Sequence, residues 1–244
     1  PEFTFLTVTQ MAPRKNMYAT VKWFMEEFHS ENVGLLIKTN MANDSLGDKE
    51  RSAGMLRQMI QSVDPENKRK CKIQLLHGRL SEEELHSLYG DERVKAYVTT
   101  THGEGFGLPI FEAAYTGLPV IAPNWSGHLD FLKAPVTNEK SGKTKVTSLF
   151  LKTKYDLQPV EQQANMEGII IPESQWAYPD EKSFKKNLRS LYRSHAKYNK
   201  NAQVLKDHIL NEMTSERIYD KMVTEILSTL SPTDTNLDLS VAML

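Results

Sequence analysis

Residues 99–117 read TTTHGEGFGLPIFEAAYTG, and this stretch decides the fold. It follows an apolar run at Val94–Thr99 that predicts a buried strand. Pro109 suits the first position of a helix, where its missing N–H costs nothing, and Gly117 suits the position just past the helix end. The three glycines that precede the helix let the backbone turn tightly. The stretch therefore predicts a strand, a glycine-rich turn and a helix over Pro109–Thr116.

The alternation of strand and helix extends on both sides of this stretch. β-Branched and aromatic runs alternate with segments whose apolar residues recur at helical spacing. Strands are predicted at Phe3–Thr9, Val33–Thr39, Lys72–His77, Val94–Thr99 and Pro119–Ala122, with helices at Met17–Phe28, Leu46–Val63, Ser81–Tyr89 and Pro109–Thr116. Repeated units of this kind predict an α/β, Rossmann-like parallel sheet with helices on both faces. Such sheets bind ligands at the carboxyl ends of their strands.

The second half of the chain has a looser pattern. We expect a surface loop over Lys133–Lys145, because it is rich in polar residues. Strands are predicted at Val146–Leu151 and Gly168–Ile171, and extra C-terminal helices at Asp180–His195 and Ala202–Leu230. A flexible tail is expected at residues 231–244.

Composition and charge exclude several classes of protein. The chain has 244 residues, with 30 Lys plus Arg against 31 Asp plus Glu, so no global positive field attracts nucleic acid. A single cysteine allows neither an internal disulfide nor a multi-cysteine zinc cage. No apolar run approaches the ~20 residues of a membrane span, so we expect a cytoplasmic protein. The Lys and Arg residues between Lys182 and Lys206 offer a membrane contact, although such runs are usually solvated faces.

The glycine-rich turn predicts an anion site. Backbone N–H groups at Phe106, Gly107 and Leu108 lie at the positive end of the helix dipole, and Gly105 lets a ligand approach the backbone. Glu104 and Glu112 flank this turn, and carboxylates accept hydrogen bonds from vicinal hydroxyls. A pocket for a sugar linked to a nucleoside diphosphate fits these features. The alternative is that Glu112 only complements the helix dipole and that Glu104 is solvated.

The wider sequence resembles the retaining glycosyltransferases of the GT-B fold, family 4. Residues 104–122, EGFGLPIFEAAYTGLPVIA, closely resemble the E-x7-E signature of that family. Residues 5–16, FLTVTQMAPRKN, resemble its first strand and phosphate loop, and residues 76–89 resemble its base-pocket segment. Residues 175–180, QWAYPD, resemble a late motif of the same domain. The resemblance implies that residues 1–230 are the donor-binding C-terminal domain and that the N-terminal acceptor domain is absent.

The resemblance also implies roles for individual residues. Glu104 would contact hydroxyls of the donor sugar and Glu112 the ribose, while Lys15 would neutralise the leaving diphosphate. Glu104 and Lys15 are therefore the expected catalytic residues. The family has an arginine where this chain has Gln10, so we expect either that Arg14 compensates or that the diphosphate is stabilised less well. The remaining donor-binding residues are expected to be Leu80, in the base-pocket loop, and Gly105, Phe106, Gly107 and Leu108.

The expected function follows from these roles. The chain is expected to be the donor-binding domain of a metal-independent hexosyltransferase that uses a UDP-, GDP- or ADP-sugar and an unknown acceptor. It has no expected cofactor, and its partners are the nucleotide sugar and an N-terminal GT-B domain supplied in cis or in trans. Alone, it would transfer sugar weakly or not at all. The alternatives are a non-catalytic nucleotide-sugar-binding module and a GT-B-type epimerase or phosphorylase. His77, His102 and His128 are interpreted as structural, and the alternative for His102, which adjoins the glycine-rich turn, is contact with a phosphate.

Overall fold

The computed structural model describes residues 1–138, 140–164, 169–171 and 173–229. Its centre is a sheet of six strands, namely β1 (Thr4–Val8), β2 (Gly34–Lys38), β3 (Lys72–Leu76), β4 (Val94–Val98), β5 (Val120–Pro123) and β8 (Leu151–Thr153). The helices between them are α1 (Met17–Phe28), α2 (Leu46–Val63), α3 (Glu82–Gly90) and α4 (Leu108–Thr116). Two antiparallel pairs follow, β6 (Lys133–Thr137) with β7 (Thr144–Ser148), and β9 (Tyr155–Pro159) with β10 (Gln175–Pro179). The C-terminal helices are α5 (Glu181–Arg193), α6 (His195–Glu212) and α7 (Ser215–Thr229).

The strand order is β3-β2-β1-β4-β5-β8, and every neighbouring pair is parallel. From β1 the chain moves outward to β2 and β3, and then returns to the other side of β1 to form β4 and β5. The order therefore reverses between β1 and β4, which are paired through Phe5 with Ala96 and Leu6 with Tyr97. Open α/β sheets bind ligands beyond the carboxyl ends of the strands at such a switch point. The predicted α/β, Rossmann-like parallel sheet is confirmed.

The helices lie in two layers because right-handed crossovers that run in opposite directions along the sheet emerge on opposite faces. Helix α1 packs against α2 and α5, whereas α3 packs against α4. The apolar face of α1 is fully buried, with Val21, Phe24 and Phe28 at 0% exposure. Arg189 of α5 connects this helix to α1 and the loop after it through ion pairs of 2.6 Å with Glu27 and 2.7 Å with Glu31.

Local capping explains why the predicted helix boundaries hold. Ser45 accepts a hydrogen bond from the Asp48 N–H at the start of α2. Ser81 and Glu84 form a reciprocal capping box at the start of α3. Gly117, at φ 87°, ends α4 in the left-handed conformation that favours glycine.

The loop predicted over Lys133–Lys145 is wrong, since β6 and β7 form an antiparallel pair there and the Asn138 N–H donates to the Lys143 carbonyl. The strand predicted at Val146–Leu151 is divided, because β7 ends at Ser148 and β8 begins at Leu151 in a different sheet. Residues 169–171 form no strand, and Gly168 lies outside the described residues. The β6–β7 pair forms between polar segments, because strand formation depends on cross-strand context more than on the residues of one segment.

The C-terminal helices also differ from the prediction. The helix predicted over Ala202–Leu230 is interrupted at Met213 and Thr214, because the Thr214 hydroxyl accepts a hydrogen bond from the Arg217 N–H and starts α7. The chain divides into two compact units, residues 1–206 and 207–244. In the second unit the structure describes the end of α6 and α7, and the tail predicted at residues 231–244 lies outside the described residues. None of the described helices has the length and apolar character needed to cross a membrane.

Candidate functional site

Two loops meet at the carboxyl ends of β1 and β4. The loop after β1 forms a 3-10 turn over Pro13–Lys15, and Asn16 then adopts a left-handed conformation with φ 50° before α1. The Asn16 amide donates to the Thr100 carbonyl at 3.2 Å, and the Thr100 hydroxyl donates to the Asn16 carbonyl at 2.8 Å. The His102 N–H donates to the Arg14 carbonyl at 2.9 Å. These bonds hold the two loops side by side.

An ion cluster forms where the loops meet. Lys15 Nζ lies 2.7 Å from both carboxylate oxygens of Glu104, and Arg14 Nη1 lies 3.1 Å from Glu104 Oε2. Arg14 also donates to the Gly103 carbonyl, and the Thr101 hydroxyl donates to Glu104 at 2.8 Å. The side chains of Lys15 and Glu104 are only 17% and 10% exposed. Three residues that the sequence singled out, Arg14, Lys15 and Glu104, are therefore in direct contact.

The electrostatics of Glu104 follow from these contacts. Burial alone would raise the pKa of Glu104, but the hydrogen bonds and charge of Lys15, with smaller contributions from Thr101 and Arg14, outweigh it. The pKa of Glu104 is therefore lower than its ordinary value. At neutral pH the cluster holds one carboxylate and two cations, so its net charge is positive.

The turn after Glu104 presents free N–H groups at the start of α4. Gly107 is the N-cap at φ 90°, a conformation that favours glycine. Within the part of the chain that the structure describes, the N–H groups of Phe106, Gly107 and Leu108 donate to no protein acceptor. Phe106 and Leu108 are 40% and 63% exposed, so the turn is open to solvent. Free N–H donors at the positive end of a helix dipole can accept an anion, and the anion site at this turn stays a prediction.

The segment after β5 supports this turn, and the sequence did not reveal its role. Ser126 accepts a hydrogen bond from the Glu104 N–H at 2.8 Å, and the Gly127 N–H donates to the Glu104 carbonyl at 3.0 Å. A Cβ on Gly127 would overlap the carbonyl oxygen of Gly105, so only glycine fits there. The positive φ of Ser126, 74°, is a further sign of a specialised turn, but it is visible only in the structure.

Glu112 lies in a second network. Its Oε2 accepts a hydrogen bond of 2.9 Å from the hydroxyl of Tyr89, a buried residue that the sequence analysis did not select. Burial raises the pKa of Glu112 above its ordinary value, and the Tyr89 bond only partly opposes this effect. Glu112 and Tyr89 also line a cavity of about 330 Å³ between α3 and α4, together with Leu85 and Phe111.

Two predicted donor-binding residues do not join the ion cluster. The Gln10 amide donates to the Met41 carbonyl at 2.7 Å, and Met41 belongs to the loop after β2. Leu80 follows Gly78, which turns the chain at φ 105° after β3, and its side chain is half-buried. Arg14, rather than Gln10, therefore supplies the second positive charge next to Glu104.

The three histidines considered in the sequence each bond within the fold. His102 Nδ1 lies 2.8 Å from the Ala177 carbonyl, and its ring stacks on Trp176. His128 Nε2 lies 2.8 Å from the Pro123 carbonyl, and His77 Nε2 lies 2.8 Å from Asp48. Burial lowers the pKa of His102 and of His128, so both are neutral at pH 7. Over the described ranges, no group of three or more His, Cys, Asp or Glu side chains is arranged to hold a metal ion.

The assembled site has the chemistry to bind an anionic, hydroxyl-rich ligand. Two cations contact Glu104, three N–H groups lie on the turn that follows it, and two carboxylates able to accept hydroxyl hydrogen bonds lie on the turn and on α4.

Comparisons with known proteins find similarity to glycosyltransferases. Residues 56–142 match the model of the family Glycosyl transferases group 1. The serotype-specific mannosyltransferase WbdA of Escherichia coli is 35% identical over 121 residues, which are 48% of this chain and 13% of that protein. The chain thus spans a small part of the curated relatives that it matches.

Solved structures share the fold at low sequence identity. Sucrose-phosphate synthase from Thermosynechococcus elongatus superposes with a TM-score of 0.59 and 14% identity, over 94% of this chain and 47% of that one. Anabaena Alr3699/HepE in complex with UDP and glucose superposes with a TM-score of 0.56 and 16% identity, over 93% of this chain and 48% of that one. Residues 56–142 are therefore similar to the glycosyl transferases group 1, and the superpositions show that this chain has the fold of the GT-B glycosyltransferases.

Proposed function

We propose that this chain is the donor-binding domain of a retaining glycosyltransferase, which binds a nucleoside-diphosphate sugar at the carboxyl ends of β1 and β4. The contact of Lys15 and Arg14 with Glu104, beside the open N-terminus of α4, is the observation that carries this proposal. It combines cations for a diphosphate with a carboxylate for sugar hydroxyls. The sugar is of the hexose type, and the nucleotide is a UDP, GDP or ADP derivative.

The diphosphate binds between the two loops in this proposal. One phosphate accepts hydrogen bonds from the N–H groups of Phe106, Gly107 and Leu108, since these donors have no protein acceptor among the described residues. Lys15 and Arg14 shift part of their interaction from Glu104 to the phosphate oxygens as the leaving group gains charge. Fixed donors and cations of this kind contribute several kcal/mol to transition-state stabilisation. The protein itself supplies this positive charge, and the proposed reaction uses no metal ion.

The two carboxylates bind the two sugars of the donor. Glu104, freed in part from its cations, accepts hydroxyl hydrogen bonds from the transferred sugar. Glu112 accepts hydrogen bonds from the ribose, and the Tyr89 hydroxyl holds its carboxylate in place at 2.9 Å. The base lies toward the loop that contains Leu80. The Anabaena HepE structure of the same fold, in complex with UDP and glucose, supports a donor of this class.

Sugar transfer also needs a surface that holds the acceptor. This chain matches 47% of the length of one GT-B neighbour and 48% of the other, so each neighbour has about as many residues again outside the matched part. We therefore propose that transfer requires a facing acceptor domain, in the same polypeptide or in another, and that residues 1–230 alone bind donor better than they transfer it. We place this activity in the cytoplasm.

A titration with nucleotides tests the proposal. UDP, GDP and ADP are added separately to the protein in isothermal titration calorimetry, with Glu112→Gln as the test variant. Glu83→Gln is the matched control, because Glu83 is exposed on α3 and does not line the cavity next to Glu112. We expect at least one nucleotide to bind, Glu112→Gln to weaken binding about tenfold, and Glu83→Gln to leave it unchanged. Absence of binding by all three nucleotides at millimolar concentration would refute the proposal.

A second candidate is a nucleotide-sugar-binding module without transferase activity. It is favoured by Gln10, whose amide is bonded to the Met41 carbonyl and which brings no charge to the site. A transfer assay with this chain joined to a facing GT-B acceptor domain distinguishes the two candidates. Release of nucleoside diphosphate together with a glycosylated acceptor supports the transferase, and donor binding without either product supports the binding module.

A further inference from the structure

A second cavity, of about 340 Å³, opens beside the loop that follows β1. Its walls include Met17 at the start of α1, Met55 and Met59 on α2, and Trp176 on β10. Its polar lining includes Glu161, His102 and Asn16. None of these residues has a place in the proposed donor site.

Aromatic packing fixes one wall of this cavity. The His102 and Trp176 rings are stacked, with centroids 5.2 Å apart and planes 14° apart, and Tyr178 packs on His102 at 4.4 Å. The bond from His102 Nδ1 to the Ala177 carbonyl and the β9–β10 pairing hold this stack in place. The fixed indole ring of Trp176 offers an apolar surface on which a ring with one apolar side can pack.

The remaining walls are adaptable and partly polar. Methionine side chains are flexible and polarisable, so they adjust to a ligand of irregular shape. Glu161 brings a carboxylate, which accepts hydrogen bonds from hydroxyl groups. A cavity with apolar walls and a few polar groups, near the small end of the ~300–1,000 Å³ range of ligand pockets, fits one ring better than a long chain.

The cavity shares both of its loops with the candidate site. Pro13 and Asn16 line it, and these residues flank Arg14 and Lys15 in sequence. His102 lines it too, and its backbone N–H bonds to the Arg14 carbonyl at 2.9 Å. A ligand in the cavity therefore lies next to the loops that carry the ion cluster.

We propose that this cavity is a subsite for a pyranose ring of the acceptor, an inference that rests on the proposed function. The ring packs on Trp176 and the methionine side chains, and its hydroxyl groups donate to Glu161. The donor domain thus contributes to acceptor binding in addition to any contribution from a facing domain.

Methyl-selective NMR tests this proposal. The protein is labelled with [methyl-13C]methionine and titrated separately with methyl α-D-glucopyranoside, methyl α-D-mannopyranoside and cyclohexanol. Met17, Met55 and Met59 report on the cavity, and Met25, which is fully buried in the core, is the internal control. We expect at least one glycoside to shift the three cavity signals at millimolar concentration, without moving Met25. Cyclohexanol, which has a single hydroxyl group, is expected to have a much weaker effect.

Variants make the test specific. Glu161→Gln is expected to weaken glycoside binding about tenfold, as the loss of a charged acceptor does. Trp176→Ala is expected to abolish binding, and Trp23→Phe, on α1 against Phe184, leaves it unchanged. Equal shifts with cyclohexanol and glycosides, or unchanged binding in Glu161→Gln, would overturn the assignment to a sugar.

The same samples are titrated with UDP, GDP and ADP, which separates the two proposals. Nucleotide binding without any glycoside shift overturns the acceptor subsite alone. Glycoside shifts without nucleotide binding overturn the proposed function, and with it the acceptor role of the cavity.

Discussion

Replacing Lys15 by Met tests how the ion cluster is held. Lys15 Nζ contacts both oxygens of Glu104 at 2.7 Å, and both side chains are largely buried. The variant leaves Glu104 with the Thr101 hydroxyl and the Arg14 guanidinium. Removing one partner of a buried pair costs about 3–5 kcal/mol, and the two remaining partners reduce this cost to about 2 kcal/mol. For a chain of this length, that corresponds to a loss of about 4–8 °C in Tm.

The pH dependence of this loss of stability shows whether the ion pair between Lys15 and Glu104 is its cause. The pKa of Glu104 in the folded protein lies below its ordinary value, so the ion pair adds stability above that ordinary pKa, and this stability is lost as the pH falls through the folded pKa. In Lys15→Met, burial persists without its main opposing contact, so the folded pKa of Glu104 rises. The difference in unfolding free energy between the unmodified protein and Lys15→Met therefore has its full value at pH 7 and decreases as the pH falls.

Urea unfolding followed by circular dichroism, from pH 7 down to pH 4, measures this difference. Arg14→Met is the matched control, because its side chain is 40% exposed and its bond to Glu104 is longer, at 3.1 Å. We expect the control to cost about 0.5 kcal/mol, as exposed ion pairs do. Equal losses in the two variants, or a loss in Lys15→Met that does not change with pH, would contradict the reasoning.

Three further predictions follow from the packing around the site. Gly127→Ala should destabilise the protein by about 1–3 kcal/mol in urea unfolding, because the added Cβ overlaps the carbonyl oxygen of Gly105. As a control, Gly54→Ala should stabilise the protein by about 0.5–1 kcal/mol, because Gly54 lies within α2 with free space around it and alanine favours a helix. Tyr89→Phe should raise the pKa of Glu112 further, since it removes the hydroxyl that lowers it, and 13C NMR titration of the carboxyl group will detect the change. Asp48→Asn should lower the urea midpoint of unfolding at neutral pH. As the pH decreases, the unfolding free energy of this variant should fall less than that of the unmodified protein. The Met41 N–H and His77 hold the pKa of this buried carboxylate below its ordinary value, so its stabilising effect is present at neutral pH and lost as the pH falls; an unchanged acid profile would contradict this.

The sequence predicted the elements of the candidate site better than the contacts between them. Glu104, Glu112 and the glycine-rich turn were identified from residue types and spacing near one helix start. Tyr89 was not, because a tyrosine in an amphipathic helix usually packs in the core. Gly127 was not, because its importance arises from a close approach to another loop. Both contribute through contacts between segments distant in the chain.

What the sequence by itself determined is the order of strands and helices from β1 to β5, the start of α4 at the glycine-rich turn, and its end at Gly117. These features depend on local periodicity and on the backbone preferences of Gly and Pro, which act within a few residues. The tertiary structure alone decided which charges meet. Lys15 reaches Glu104 across 89 positions because β1 and β4 are neighbours in the sheet, while Gln10 is drawn to the loop after β2. Ion pairs act over a few ångströms in space, so their partners are fixed only when strand order brings the loops together.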